Sequence, residues 1–384
     1  MQLKSERTIL ADIFCRVIDN FGDIGVCWRL ARRLAHGHGW RVRLWVDDLQ
    51  TFARLAPEAA GIIGRGRIEG IDIVHWATSM SALALSDSPG ASLRPGDVVI
   101  EAFACDPPAE FVRRITDRQV WLNLEYLSAE EWVESCHALP SPQPGGVSKH
   151  FFFPGFTLAT GGLLREPDLL QRRDTFQASV QARTDFLTEL GVPSGDAQLV
   201  AAGHAEVISL FCYRDAPVSQ LHQVLAQRER PSLLLATAGT APWLAAGAQG
   251  NTRVVRLPFL TPDDFDRLLW SSDLNFVRGE DSFVRAQWAA RPLVWHIYPQ
   301  EEAAHLDKLD AWLARYSTND LIASVHRAWN GDGTYGQLSS ILETLLTPVA
   351  LGRWKTDALQ WSTHLAHQHE LADHLADFCL HRLK

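Results

Sequence analysis

Two aspartates bracket a glycine turn in Asp19-Asn20-Phe21-Gly22-Asp23-Ile24-Gly25. The turn follows an apolar run, Ile13 to Ile18, and precedes Ile24 to Leu34, where apolar residues recur at helical spacing with basic residues between them. Such strand-turn-helix elbows open doubly wound sheets and lie at the carboxyl ends of the strands, where ligands bind. Gly22 and Gly25 do not have the G-x-G-x-x-G spacing of a dinucleotide loop. A diphosphate here would also meet two negative charges. The local pattern leaves two readings: a turn whose acidic groups face a ligand, or Asp23 capping the helix and Asp19 capping the strand end.

A second elbow lies in Leu274-Asn275-Phe276-Val277-Arg278-Gly279-Glu280-Asp281-Ser282-Phe283, running on to Trp288. With Asp281 or Ser282 as N-cap, the first helical N–H groups and the helix dipole favour a diphosphate. Arg278 would add a charge-assisted contact, and Glu280 would accept from ribose hydroxyls. The alternative is a well-capped structural helix with a solvated Arg and Glu. Phe211 and Tyr213 alternate at the end of an apolar run and so share one face. That face is either a base-stacking platform or ordinary core, and Phe265, near a helix start, poses the same choice. Asp264-Phe265-Asp266 matches the metal-binding D-x-D pattern, but it sits in the first turn of an expected helix, where the dipole favours acidic residues. His364, His367, His369, His374 and His381 lack an H-E-x-x-H core and read as the solvated face of an amphipathic helix, not as metal ligands.

The elements that must position these residues follow from periodicity. The first 130 residues predict strands near 13 to 18, 41 to 46, 72 to 75, 97 to 101 and 119 to 124, with a helix at 24 to 36. Residues 135–165, rich in Pro, Gly, Ser and Phe, predict a long loop with an aromatic anchor. A helix from Phe176 to Leu190 leads to strands near 206 to 213, 232 to 236, 253 to 256, 273 to 277 and 293 to 297. Between these lie helices at about 217 to 227, 262 to 270, 281 to 290 and 301 to 314, and the last fifty residues read as helical throughout, ending in Trp361 to Leu383. Alternation of this kind gives parallel βαβ units, so the fold class is α/β with two similar Rossmann-like domains facing each other across a central cleft, as in GT-B enzymes.

Composition narrows the class further. A chain of 384 residues holds two ordinary domains. A formal net charge of -9 and scattered Lys and Arg, with only short clusters such as Arg32-Arg33 and Arg172-Arg173, disfavour a nucleic-acid groove. Cysteines at 15, 27, 105, 136, 212 and 379 form no C-x-x-C pair and read as buried thiols in a reducing cytoplasm. The stretch Met1-Gln2-Leu3-Lys4-Ser5-Glu6-Arg7 lacks the apolar core of a signal peptide, and no apolar run approaches a membrane span of about 20 residues.

Four segments occur in order along most of the chain: Asp19-Asn-Phe-Gly-Asp23-Ile-Gly-Val-Cys-Trp-Arg29, Phe211-Cys-Tyr213, Arg278-Gly-Glu-Asp-Ser-Phe-Val-Arg-Ala-Gln-Trp288 and Trp295-His-Ile-Tyr-Pro-Gln-Glu301. Together they resemble the bacterial protein-arginine rhamnosyltransferases that modify translation elongation factor P. The resemblance implies a GT-B fold, dTDP-β-L-rhamnose as co-substrate, an arginine of elongation factor P as acceptor, inversion at the sugar carbon, and no metal or other cofactor. It implies that Asp19, Asp23 and Glu280 are catalytic; since two carboxylates can hold a guanidinium while one takes its proton, Asp23 is expected to be the base and Asp19 its orienting partner. Phe211, Tyr213, Phe265, Arg278, Glu280, Asp281 and Ser282 fall on the donor side. Residues 1–165, completed by a helix at about 366–384, become the acceptor-side domain; 166–190 a linker helix region; and 191–365 the donor domain. Where the family carries Gln in a Val-Pro-Gln segment, this chain has Leu260-Thr261-Pro262, so Pro262 is left out of the donor set. Other readings are a GT-B transferase with another sugar or acceptor, and a non-catalytic protein that binds a translation factor.

Overall fold

The computed structural model describes residues 8–19, 21–76, 94–332 and 335–383. Residues 1–7, read above for a leader, and Asn20 of the acidic turn lie outside the described residues. The chain forms two compact units, Met1–Glu166 with Gln368–Lys384, and Pro167–His367.

The first unit contains β1 (Leu10–Cys15), β2 (Arg41–Val46), β3 (Arg65–Ile68), β4 (Ile71–His75), β5 (Val98–Ala102), β6 (Val120–Leu124), β7 (Pro140–Pro142) and β8 (Ser148–Phe152). Their order is β3-β4-β2-β1-β5-β6-β8-β7. All neighbours from β4 to β8 are parallel, and β3 and β7 add antiparallel edges. Buried central strands such as β5 (Val-Val-Ile-Glu-Ala) are near-continuous apolar runs because both faces are covered. The edges carry arginines in β3 and prolines in β7, which suit strands with an unpaired side.

Several boundaries differ from the sequence reading. The first strand ends at Cys15, not Ile18, because carboxylates take the next amides: Val17 N–H donates to Asp47 Oδ1 at 2.9 Å and Ile18 N–H to Asp23 Oδ2 at 2.8 Å. The helix after the turn starts at Gly22, ends at Arg32 and continues as a π-helix over Arg33–Gly37. The expected loop at 135–165 instead contains the β7/β8 hairpin, with β8 joined in parallel to β6. Its Pro and Gly residues belong to an edge strand and a tight turn, where Gly145 and Gly146 have φ of 90° and 80°. Phe152, Phe153 and Phe156 are core residues.

The second unit contains β9 (Glu206–Leu210), β10 (Ser232–Ala236), β11 (Gly247–Gln249), β12 (Thr252–Arg256), β13 (Leu274–Arg278) and β14 (Leu293–His296), ordered β11-β12-β10-β9-β13-β14. Only β11 is antiparallel among these described strands. The helix read over Phe176 to Leu190 is two, Leu169–Gln177 and Val180–Glu189, divided where the Ser179 hydroxyl accepts from Ala182 N–H and caps the second. Phe186 and Leu187 pack with Val207 and Leu233, so these helices belong to the second unit's core.

The C-terminal stretch also breaks. The Pro348–Ala366 helix ends, and Glu370 caps Leu371–Leu380 by accepting Asp373 N–H at 2.9 Å. That last helix packs Leu371, Leu375, Ala376 and Cys379 into the first unit's core beside Ile13, Leu44 and Ile100. Glu370 and Asp373 both pair with Arg33, at 3.0 and 2.7 Å. Gly162 runs so close to the His369 carbonyl, at φ +80°, that no side chain fits there.

Candidate active site

Asp23 stands in the first helical turn and is 3% exposed. It does not cap that helix. The N-cap is Phe21, without a side-chain cap hydrogen bond, and Asp23 Oδ2 reaches backwards to accept the N–H groups of Ile18 and Asp19, both at 2.8 Å. The carboxylate thus ties down the chain as it leaves β1. Asp19 is half-buried, and its carbonyl accepts Gly22 N–H at 2.7 Å. A Cβ on Gly22 would come within 3.0 Å of Asp19 Oδ2, so glycine lets the helix start close against the second carboxylate. Burial raises the pKa of Asp23; the two amides oppose this, and the Asp19 and Asp47 charges add to it. The turn therefore holds one buried carboxyl with enhanced proton affinity beside one that solvent reaches.

In the second unit, the donor candidates gather at the carboxyl ends of β9 and β13. Phe211 and Tyr213 lie just past the end of β9, with Phe211 N–H still donating to Phe276 O at 2.9 Å. Both rings are half-buried and serve one guanidinium: Arg278 lies 4.6 Å from each ring centroid, a contact worth about 0.5–2 kcal/mol. Phe265 stands edge-on to Phe211 at 5.7 Å while also packing against the second unit's core. Gly279 takes φ +61° and turns the chain from β13 into the Asp281–Trp288 helix; the Trp295 indole N–H holds that turn by donating to Gly279 O at 2.8 Å. The N-cap is Glu280, without a side-chain cap hydrogen bond, rather than Asp281 or Ser282. Asp281 is the first helical residue, and the Ser282 hydroxyl donates back to the Arg278 carbonyl. Arg278, Glu280, Asp281 and Ser282 thus form one tight turn, while Asp19 and Asp23 belong to the other unit.

The D-x-D pattern dissolves into structure. Asp264 accepts from the Thr261 hydroxyl at 2.9 Å, and Thr261 Oγ1 in turn accepts Asp264 N–H at 3.2 Å. Asp266 is buried in a bidentate pair with Arg285, at 2.8 and 2.5 Å. Of the C-terminal histidines, His364, His367, His369 and His381 are exposed. His374 departs from the expected solvated face: it is half-buried beside Phe152, with His369 at 4.3 Å and His137 at 5.6 Å, because the helix break turns it onto the first unit. Burial, helped by His369, lowers its pKa. Among the described residues no group of three His, Cys, Asp or Glu side chains is placed to hold a metal ion. The six cysteines are unpaired and all but Cys136 are buried.

Residues that the motif reading did not place are His296 and Tyr298, which pack against Tyr213, and Asp215, which lies 3.7 Å from His296 Nε2. The stretch Trp295 to Glu301 was the available signal for two of them.

Comparison with known proteins gives this arrangement a family. The model of the elongation factor P (EF-P) rhamnosyltransferase family EarP matches residues 11–380. This chain belongs to that family. A protein-arginine rhamnosyltransferase of Pseudomonas putida is 49% identical over 85% of this chain and 88% of its own. Its counterpart in Pseudomonas aeruginosa is 46% identical over 96% and 98%. A solved structure concerning EarP-mediated arginine glycosylation of translation elongation factor EF-P is 33% identical, with a TM-score of 0.64, over 97% of this chain and 99% of that chain. The two parallel-rich sheets are those of a GT-B glycosyltransferase. Both aspartates of the acidic turn and the whole Arg278 to Ser282 turn lie inside the span matched by the EarP family.

Proposed function

We propose that this protein transfers L-rhamnose from dTDP-β-L-rhamnose to an arginine side chain of elongation factor P, with inversion at C1 and without a metal ion. The observation that carries this reading is the acidic turn, which sets the buried Asp23 beside Asp19 just past the carboxyl end of β1, in a chain of the EarP family. A cationic acceptor suits that charge, whereas a nucleotide does not.

A guanidinium stays protonated up to a pKa above about 12, and its delocalised lone pairs make it a poor nucleophile. Two carboxylates answer both problems. Asp19, the more accessible, orients the planar fork by charge-assisted hydrogen bonds. Asp23, whose proton affinity burial raises, accepts the proton that the attacking nitrogen loses. The N–C1 bond forms as the bond from C1 to the diphosphate oxygen breaks, leaving dTDP and a rhamnosyl-arginine. Inversion follows from attack opposite the leaving group. Arg278 and the amides at the start of the Asp281–Trp288 helix stabilise the charge growing on the diphosphate. Phe211, with Phe265 at its edge, stacks on the base beside Tyr213; Glu280 accepts from donor hydroxyls, and Ser282 completes the turn. Five buried, unpaired thiols fit a reducing compartment, and the reaction is assigned to the cytoplasm. Among the described residues no helix is long and apolar enough to cross a membrane.

Intact mass tests the reading. Elongation factor P incubated with this protein and dTDP-rhamnose should gain one deoxyhexose residue, placed on arginine by fragmentation. An unchanged mass would overturn the assignment, and addition of a different sugar from another nucleotide donor would redirect it to a different transferase.

A further inference from the structure

His296 ends β14 and is 2% exposed, yet both its ring nitrogens face polar groups. Nδ1 accepts the backbone N–H of Tyr213 at 3.3 Å. Nδ1 must then be unprotonated, which leaves the ring proton on Nε2. Nε2 lies 3.7 Å from Asp215 Oδ1, on a side chain that is itself mostly exposed. Burial pushes the imidazole pKa down to about 4, with Arg278 and His305 helping and Asp215 opposing, so the ring is neutral at ordinary pH.

Sheet register explains why a residue of β14 reaches a loop that leaves β9. Arg278 of β13 pairs with His296 of β14, and Phe276 of β13 pairs with Leu210 of β9. Phe211 is held by the Phe276 carbonyl. Two residues further on, the Tyr213 amide meets a side chain from the strand beyond. The Tyr213 ring then stands edge-on to the imidazole at 5.1 Å and takes the Arg278 guanidinium at 4.6 Å.

We propose that His296 is a positioning residue for the donor: by accepting the Tyr213 amide it fixes the aromatic ring beside which Arg278 and a thymidine diphosphate are held. The inference rests on the donor-side reading of Phe211, Tyr213 and Arg278 given above. His296 touches no reacting atom in this account; it acts through Tyr213.

The test separates the acceptor atom from the bulk of the ring. Asparagine can place a carbonyl oxygen close to the position of Nδ1, whereas glutamine places its amide near Nε2. Binding of dTDP to the full-length protein is measured by calorimetry for the wild type, H296N, H296Q and Y213A, with the thermal midpoint of each variant recorded. H296N should stay near wild-type affinity. H296Q should weaken about five- to tenfold, the net value of one hydrogen bond. In turnover, the KM for dTDP-rhamnose should rise in H296Q while kcat and the KM for the acceptor protein stay level. Equal affinities for H296N and H296Q, whether both retained or both lost, would overturn the positioning role. If Y213A binds dTDP as well as the wild type, the donor reading of Tyr213 itself fails. If Y213A is weakened while the two His296 variants agree, only the positioning inference fails.

Discussion

Asp23 combines two demands that conflict. Its Oδ2 secures the exit from β1 through two amides, yet its burial raises the cost of the charge those amides favour. Because the folded pKa is raised, the native state binds the extra proton first. The charge therefore costs stability at neutral pH, and the cost disappears as pH falls below the ordinary carboxylate range. Asp23→Asn keeps an oxygen for the amides and removes the charge. It should abolish rhamnosyl transfer while leaving dTDP-rhamnose affinity near wild type and the thermal midpoint unchanged or higher; lost donor binding by calorimetry would count against Asp23 as the base. Phe211→Ala should weaken dTDP binding by roughly tenfold or more, in keeping with the ~1–3 kcal/mol of a base–aromatic stack. An unchanged dissociation constant would reject stacking there.

At the scale of elements, buried ion pairs hold helices of the second unit in place. Asp266 and Arg285 join the Pro262–Ser271 and Asp281–Trp288 helices in a pair that solvent barely touches. Asp266→Ala strands a buried guanidinium and should destabilise the second unit by about 3–5 kcal/mol, whereas Asp264→Ala, in the first turn where it only supports the Thr261 cap and pairs with Arg267, should cost only about 1 kcal/mol and leave transfer intact. Denaturant titration distinguishes the two, and a larger loss of activity in Asp264→Ala would revive a metal reading of D-x-D. Asp273, just before β13, tests the same principle by pH. Burial raises its pKa, but Arg183, Lys355 and the Val207 amide outweigh burial and bring it down to about 2. A depressed carboxyl contributes stability above its unfolded pKa, so about 2 kcal/mol should be lost as pH falls from about 4 towards 2, and Asp273→Asn should flatten that part of the stability curve. The same ionic and hydrogen-bonding contacts mark the limit of reading from sequence. Strand β10 is apolar after its first residue (Ser-Leu-Leu-Leu-Ala), and β2 (Arg-Val-Arg-Leu-Trp-Val) alternates before turning apolar, so their bounds are plain from the sequence. Val17 and Ile18 are equally apolar but leave the sheet because aspartates claim their amides. Pro140 and Pro142 disguise an edge strand as a loop. Alternation brings Phe211 and Tyr213 to one guanidinium, as their spacing suggests. The His296 contact to Tyr213 joins residues far apart in the chain and depends on strand order, which no local pattern encodes.

At the scale of the molecule, the first unit is made from both ends of the described chain. Its helical face is closed by Leu371, Leu375, Ala376 and Cys379, and the closing segment is fixed by Arg33 to Glu370 and Asp373 and by Arg165 N–H to Glu370 at 3.0 Å. Removing residues 368–384 should expose that face and unpair buried Arg33. Hydrogen exchange is expected to show lost protection across β1, β2 and the Gly22–Arg32 helix, with β9, β10 and β13 still protected; a first unit that kept its protection would contradict this account. The arrangement also orders events on the ribosome. Residues 167–367 emerge complete and can close their core while the strands of the first unit, made earlier, still await their last helix. The exit from β1 and the turn from Asp19 to Asp23 are thus backed by a complete core only once Leu371 to Cys379 have been made, after every core residue of the second unit.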